Sequence, residues 1–358
     1  MTRILLAGGG TAGHVNPMLA LADAVMAAEP SAKVWALGTA EGLESRLVPE
    51  RGYSLLTIPK LPFPRRISAS ALGFPKRFDL ATKLVQKYLR DNEIDVVVGF
   101  GGYASAPAYL AARREGVPLV VHEANALPGL ANRFGARFAA AVGVAFRNTK
   151  LKGAEFVGMP LRQEVVAISA KKNVAAARNH FGLDPKTATI LVTGGSLGAR
   201  RINETVEASR KFFSAAGIQV LHIVGENSEL PPESSAEFVR LAYCDRMDLA
   251  ISAADFAISR AGASTVSEFA AVGLPAVYVP YPVGNGEQRF NVVDLLAVGG
   301  ALSVADADFT PDYVSNVVIP VVSDSRRLLQ MSNAAREAGV SDGAERLLKL
   351  VMSVLPAR

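Results

Sequence analysis

Two stretches of this chain repeat one device: ILLAGGGTAGH at 4–14 and ILVTGGSLGAR at 190–200 each run an apolar segment into glycines and then into a helix-forming stretch. A buried strand that stops at glycines and passes directly into a helix is compatible with few folds. Glycine admits positive φ and lets a ligand come close to the backbone. The first turn of the helix carries N–H groups without internal partners, which suits an anion. One glycine turn after a strand is common in any α/β protein, but a matched pair points to two related Rossmann-like domains.

The rest of the pattern agrees. Ile4–Ala7, Lys33–Leu37, Ser54–Ile58, Asp95–Val98, Leu119–Val121 and Ala140–Val144 read as strands separated by longer amphipathic stretches. Such a βαβ series implies a parallel sheet covered on both faces. After VGMPLR (157–162) the series restarts, with strands expected at Thr189–Thr193, Gln219–Val224, Phe256–Ser259, Ala276–Val279 and Ala301–Val304. The expected division is a first domain over 1–160, a second over 161–340, and a terminal segment, 341–358. Within that segment SDGAERLLKLVMSVL (341–355) reads as an amphipathic helix, expected to pack back on the first domain. The fold class is therefore α/β, with two Rossmann-like domains facing across a cleft.

Composition narrows the setting. Among 358 residues, 50% are hydrophobic and 20% charged, which describes a packed globular chain and excludes a disordered or fibrous one. The single cysteine, Cys244, excludes an internal disulfide, and the N-terminus lacks the pattern of a signal peptide, so a cytoplasmic protein is expected. Two uncharged windows, Ile4–Ala22 and Phe269–Gly286, approach the length of a membrane span, but glycines break the first and prolines the second. The net charge of +5 suits an anionic partner, whether nucleotide, nucleic acid or lipid headgroup. The glycines also do not spell a dinucleotide fingerprint, because the next strand ends in WALG (35–38) without an acidic residue.

The strongest local signal is SRAGASTVSEFAAVGLPAVYVPYPVGNGEQRFNV (259–292). A strand leads into Ala261-Gly262-Ala263, and Ser264-Thr265 open a helix. Hydroxyls and free N–H groups there can hold a diphosphate, and Glu268, one turn further, can accept from both hydroxyls of a ribose. The alternative is that Ser264 caps the helix while Glu268 complements its dipole. Gln288 and Asn291, on the helix after the next strand, would face the same crevice.

Six motifs, GGGTAGHVNP (8–17), GFGGYASAP (99–107), HEANALPGLANR (122–133), GMPLR (158–162), TGGSLGARRINE (193–204) and SRAGASTVSEFAAVGLPAVYVPYP (259–282), stand in one order along the chain. In these the chain resembles the MurG family, peptidoglycan N-acetylglucosaminyltransferases that convert lipid I to lipid II. The resemblance covers essentially the whole sequence and implies the GT-B architecture. It implies UDP-N-acetylglucosamine as donor, bound mainly by the C-terminal domain, a lipid acceptor on the N-terminal domain, no required cofactor or metal, and inversion at the anomeric carbon. It places Ser196 and Arg162 at the donor's phosphates or sugar. Ala263, Ser264, Thr265, Val266 and Ser267 fall at the pyrophosphate, Glu268 at the ribose, Gln288 at the sugar hydroxyls and Cys244 at the uracil edge. Thr11, Ala12, Gly13 and Asn125 would border the donor sugar. Gly101, Gly102, Tyr103 and Asn291 are expected on the acceptor side.

His14 is the candidate general base, since attack by the acceptor's hydroxyl requires loss of its proton and a histidine titrates near neutral pH. The plainer reading is that His14 only hydrogen-bonds the acceptor or the turn. His122 reads as structural, and Glu123 beside it is not separable by sequence. Two positions depart from the family pattern, Ala12 where a glycine is common and Asn16 where an aromatic is.

A lipid acceptor implies docking on a membrane, peripherally and at its cytoplasmic face. The stretch 60–87 fits: Phe63, Ile67, Leu72, Phe74 and Phe78 alternate with Lys60, Arg65, Arg66, Lys76 and Arg77, suiting anionic phospholipids. An ordinary loop and helix with core aromatics is the alternative. Expected partners are lipid I and other cell-wall synthesis proteins, not nucleic acid. Competing functions are transfer of a UDP-sugar to another lipid, a UDP-N-acetylglucosamine epimerase, and a non-catalytic nucleotide-sugar binding subunit.

Overall fold

The structure, a computed structural model, describes residues 1–61, 73–195, 198–283 and 285–355. Two compact units form, Met1–Arg162 together with Asp342–Arg358, and Gln163–Ser341. The second unit is thus an insertion within the first, and the change-over falls just past Pro160.

In the first unit seven strands, β1 (Arg3–Gly8), β2 (Lys33–Gly38), β3 (Ser54–Thr57), β4 (Val96–Gly101), β5 (Leu119–Glu123), β6 (Ala141–Val144) and β7 (Ala154–Phe156), lie in the order β3-β2-β1-β4-β5-β6-β7. Every pairing is parallel. Side chains alternate between two cores. Ile4, Leu6, Val96 and Val98 meet the helices Ala12–Ala28 and Gly343–Ser353 on one face. Leu5, Ala7, Val97 and Val121 meet Phe74–Asp91 and Ser105–Glu115 on the other. Ile4, Leu5 and Leu6 are at most 1% exposed, and complete burial of each contributes roughly 2 kcal/mol. Strand order reverses between β1 and β4, so their carboxyl ends open the crevice where such sheets bind ligands.

The second unit repeats the plan with β8 (Thr189–Thr193), β9 (Gln219–Ile223), β10 (Glu233–Ser234), β11 (Phe238–Leu241), β12 (Phe256–Ser259), β13 (Ala276–Tyr278) and β14 (Ala301–Ser303). Their order is β10-β11-β9-β8-β12-β13-β14, parallel except for β10 against β11. Here the reversal falls between β8 and β12.

Three strands, β7, β10 and β11, are not legible in the sequence. They run for 3, 2 and 4 residues at or next to a sheet edge, too short for a periodic pattern. The helix Phe74–Asp91 begins at the expected basic segment. Its Phe74 packs against the core cluster, whereas Leu80, 56% exposed, is the large apolar side chain that reaches the surface. Phe63, Arg65, Arg66, Ile67 and Leu72 lie outside the described residues.

Candidate active site

In the first unit the chain leaves β1 through Gly8-Gly9-Gly10, with Gly10 at φ +89°, and Thr11, extended, starts the helix Ala12–Ala28. His14 stands in the first turn. Its Nδ1 lies 3.2 Å from the carbonyl oxygen of Gly9 and 3.2 Å from Thr11 Oγ1. A carbonyl can only accept, so Nδ1 carries the proton toward Gly9 and the lone pair resides on Nε2. Burial pushes the imidazole below its ordinary value of 6.5; the Gly9 carbonyl and the Glu44 charge act in the opposite direction. The side chain is therefore neutral at pH 7, with a basic nitrogen available.

That nitrogen sits beside the second turn of the unit. A Cβ at Gly101, which ends β4 with φ +91°, would lie 3.3 Å from His14 Nε2 and 3.4 Å from Asn132 Nδ2. Gly102, at φ +87°, passes so close to the first turn that a Cβ there would lie 2.4 Å from the Gly9 oxygen. The Ser105 hydroxyl, 2.7 Å from Gly101 O and 2.9 Å from Ala7 O, ties the two turns from below. Tyr103, 41% exposed, lies over Gly10 with Lys60 Nζ 5.9 Å from its ring centre. The sequence-derived candidates Thr11, Ala12, Gly13, His14, Gly101, Gly102 and Tyr103 are thus all at one end of one sheet.

Asn125 lies on the adjoining loop after β5, which a buried network holds. Glu123, 2% exposed, accepts from Asn125 N at 2.8 Å, Gly129 N at 2.9 Å and Asn132 Nδ2 at 2.9 Å. Tyr109 donates to Asn132 Oδ1 at 2.7 Å. Burial raises the Glu123 carboxyl against these bonds. Glu123 therefore shapes the Asn125 loop from beneath. His122 Nε2 lies 3.0 Å from Gly158 O, and burial lowers its pKa to about 4, so it stays neutral in the core. Arg162, half-buried, closes this unit.

One residue escaped the sequence reading. Glu44, fully buried at the start of the helix Glu44–Glu50, accepts from Gly10 N at 2.9 Å, Thr39 N at 2.8 Å and Thr39 Oγ1 at 2.9 Å. Burial alone would raise its carboxyl; the three donors outweigh that and hold it below the usual value. Gly9, Gly38 and Gly42 leave it room, since a Cβ at each would approach the carboxylate to 2.4, 2.9 and 2.1 Å. Those spaced glycines were its only sequence signal.

In the second unit β8 leads to Gly194-Gly195, with Ser196 and Leu197 outside the described residues, and Gly198 returns at φ +77°. The other turn follows β12. β12 runs through Arg260-Ala261 to Gly262, extended, which hands the chain to the helix Ala263–Val272 without a side-chain cap. Capping by Ser264 is therefore not the arrangement found. Its Oγ is buried and has no hydrogen-bond partner, beside the open N–H groups of the first turn. An orphaned hydroxyl and free N–H groups form a cradle for an anion. Thr265, Val266 and Ser267 continue this turn, and Glu268, 9% exposed, follows.

Gln288 and Asn291 brace the cradle. Gln288 Oε1 accepts from Ala261 N at 3.2 Å and Tyr281 N at 2.9 Å, which leaves its NH2 group for a ligand. Asn291, 1% exposed, donates to Ala261 O at 3.1 Å. The expectation of acceptor contact at Asn291 thus meets a buried side chain engaged with the turn, and the geometry gives it a supporting place. Cys244 is buried before the helix Met247–Ala253, and burial raises its thiol pKa.

Comparison with known proteins agrees with this architecture. The Glycosyltransferase family 28 N-terminal domain matches residues 4–144 and its C-terminal domain residues 189–347. The crystal structure of MurG from Acinetobacter baumannii superposes with a TM-score of 0.79 at 27% identity, covering 99% of this chain and 100% of that one. Two doubly wound domains matched by these family models make the chain a glycosyltransferase of the GT-B architecture. UDP-N-acetylglucosamine--N-acetylmuramyl-(pentapeptide) pyrophosphoryl-undecaprenol N-acetylglucosamine transferases are similar over the full length. That of Clavibacter sepedonicus is 55% identical, covering 100% of this chain and 98% of its own, and that of Leifsonia xyli subsp. xyli 54%, covering 100% of both. The chain belongs to the MurG family.

Proposed function

We propose that this protein transfers N-acetylglucosamine from UDP-N-acetylglucosamine to the 4-hydroxyl of the N-acetylmuramyl group of lipid I, giving lipid II. The relatives' shared activity supports the substrates. The observation that carries the chemistry is His14, whose Nδ1 is committed to Gly9 O while Nε2 borders Gly101. In the proposed step Nε2 takes the proton of the acceptor hydroxyl as its oxygen bonds to the anomeric carbon. The bond from that carbon to the diphosphate oxygen breaks with inversion, and UDP leaves. Negative charge growing on the diphosphate is met by the N–H groups at Ala263–Thr265, the Ser264 hydroxyl and the Arg162 guanidinium. Glu268 accepts from the ribose hydroxyls, Gln288 donates to the sugar, and Thr11, Ala12, Gly13 and Asn125 border it.

No helix among the described residues is long and apolar enough to cross a membrane. The proposed attachment is peripheral, at the cytoplasmic face, through the basic segment that includes Lys60, Lys76 and Arg77 together with exposed Leu80. Lys76→Glu with Leu80→Asp should weaken sedimentation with phosphatidylglycerol vesicles while leaving those of phosphatidylcholine unaffected.

Transfer of labelled N-acetylglucosamine to a short-chain lipid I analogue tests the reaction. Wild type should transfer, with an acid limb below pH 6.5, and His14→Ala should lose about 10²-fold or more in kcat at unchanged donor binding. Donor binding without transfer would sink the acceptor assignment, and UDP release without acceptor would favour the epimerase reading.

A further inference from the structure

Gly9 and Gly10 share one planar peptide group, and its two polar ends are both engaged by side chains. The carbonyl end faces His14 Nδ1 at 3.2 Å, and the N–H end donates to Glu44 Oε2 at 2.9 Å. From this juxtaposition we infer that Glu44 is a positioning residue for the reaction, acting on His14 through the Gly9–Gly10 peptide. The inference rests on the base role proposed for His14.

The physical argument is polarisation along a hydrogen-bonded chain. A carboxylate accepting from an amide N–H draws that proton toward itself and leaves the amide's carbonyl oxygen more negative. The peptide is planar and conjugated, so the two ends respond together. A more negative Gly9 oxygen holds the proton on Nδ1 and stabilises the imidazolium formed when Nε2 takes a proton. The direct influence of the Glu44 charge on His14 has the same sign. Thr39, donating twice to the other carboxylate oxygen, and the glycines at 9, 38 and 42 hold Glu44 in this one position.

Other charged groups around the turn have other partners. Glu123 accepts from Asn125, Gly129 and Asn132, and His122 faces Gly158 O. Lys60 lies against Tyr103. On the helix of His14 itself Asp23 accepts from Arg51 and Tyr53, and on the packed terminal helix Arg346 pairs with Asp342. Glu44 alone among them bonds to the Gly9–Gly10 peptide.

The test is a pH titration of the His14 ring followed by NMR in wild type and Glu44→Gln, with His14→Gln to assign the signal. This readout does not depend on transfer, so it stands even if the acceptor assignment falls. In Glu44→Gln the His14 titration should move down by about one unit, the scale of one charge at several ångströms in a partly buried site. The kcat plateau should fall roughly threefold, as expected for a weaker base, with donor KM within twofold. If Glu44→Gln does not fold, wild type suffices: the Gly10 amide proton should shift with the same midpoint as the His14 ring. An unmoved His14 titration in a folded variant, or a Gly10 amide indifferent to His14 protonation, overturns the inference.

Discussion

The bare α-carbon of Gly102 faces the carbonyl oxygen of Gly9, and a methyl group on it would stand 2.4 Å from that oxygen. The obstacle is backbone, the oxygen of the same Gly9–Gly10 peptide that His14 and Glu44 engage, so it cannot yield cheaply. Gly102 also has φ +87°, which an L side chain rarely adopts. Gly102→Ala should therefore cost about 1–3 kcal/mol in urea unfolding and displace the Gly9 carbonyl from His14. Loss of kcat should exceed the loss of donor affinity; a variant with native turnover would show that the two turns need not touch.

Gly13 offers the converse case. It lies in the first helical turn without positive φ, and a Cβ there would meet only Thr11 Oγ1, at 3.7 Å. Folding alone does not demand a glycine. Gly13→Ala should raise stability by up to about 1 kcal/mol, from helix propensity. If the donor sugar borders this residue, the same change raises donor KM; an unchanged KM would move the sugar elsewhere.

Asn291 and Gln288 hold opposite ends of Ala261. Removing the amide in Asn291→Ala leaves the buried Ala261 carbonyl without that donor and should cost about 1–3 kcal/mol. Because Ala261 precedes the helix whose N-terminus is the proposed diphosphate cradle, donor affinity should fall with stability, while lipid acceptor KM stays near wild type. An acceptor defect at native donor affinity would restore the acceptor role to Asn291.

Two buried neutral histidines predict acid sensitivity. Burial lowers His122 to about 4, and burial with the nearby Arg240 charge lowers His222 to about 3. Below about pH 6.5 the unfolded chain takes up protons that the folded chain refuses, so stability falls as pH drops toward those values. Between pH 7.5 and 5 each should remove about 2 kcal/mol. His122→Gln and His222→Gln should each flatten that slope in urea titrations; slopes equal to wild type would mean that the rings are not kept neutral.

Much of this molecule is readable from its sequence because the strands that matter are buried on both faces. Ile4–Ala7 and Thr189–Thr193 stand out as apolar runs closed by glycine, and the turns after them follow directly. His14 and Ser264 stand out for the same reason, each being a polar group in the first turn of the helix that follows such glycines. Glu44 does not, since a glutamate opening a short helix looks like any solvated residue until the fold brings Gly10 beside it. Gln288 and Asn291 are expected to face one crevice, but the sequence names no partner for either, and the Asn291 amide bonds to the Ala261 carbonyl.

The terminal helix Gly343–Ser353 places Leu347, Leu350 and Val351 in the same core as Ile4 and Val98. During synthesis the first half of the chain therefore waits for the last few turns before its interior is closed, whereas Gln163–Ser341 has all its residues earlier. The unit that begins first is the one that finishes last. A chain cut short near residue 340 would hold nearly all of the second unit and leave the core of the first open, exposing apolar surface to chaperones and proteases.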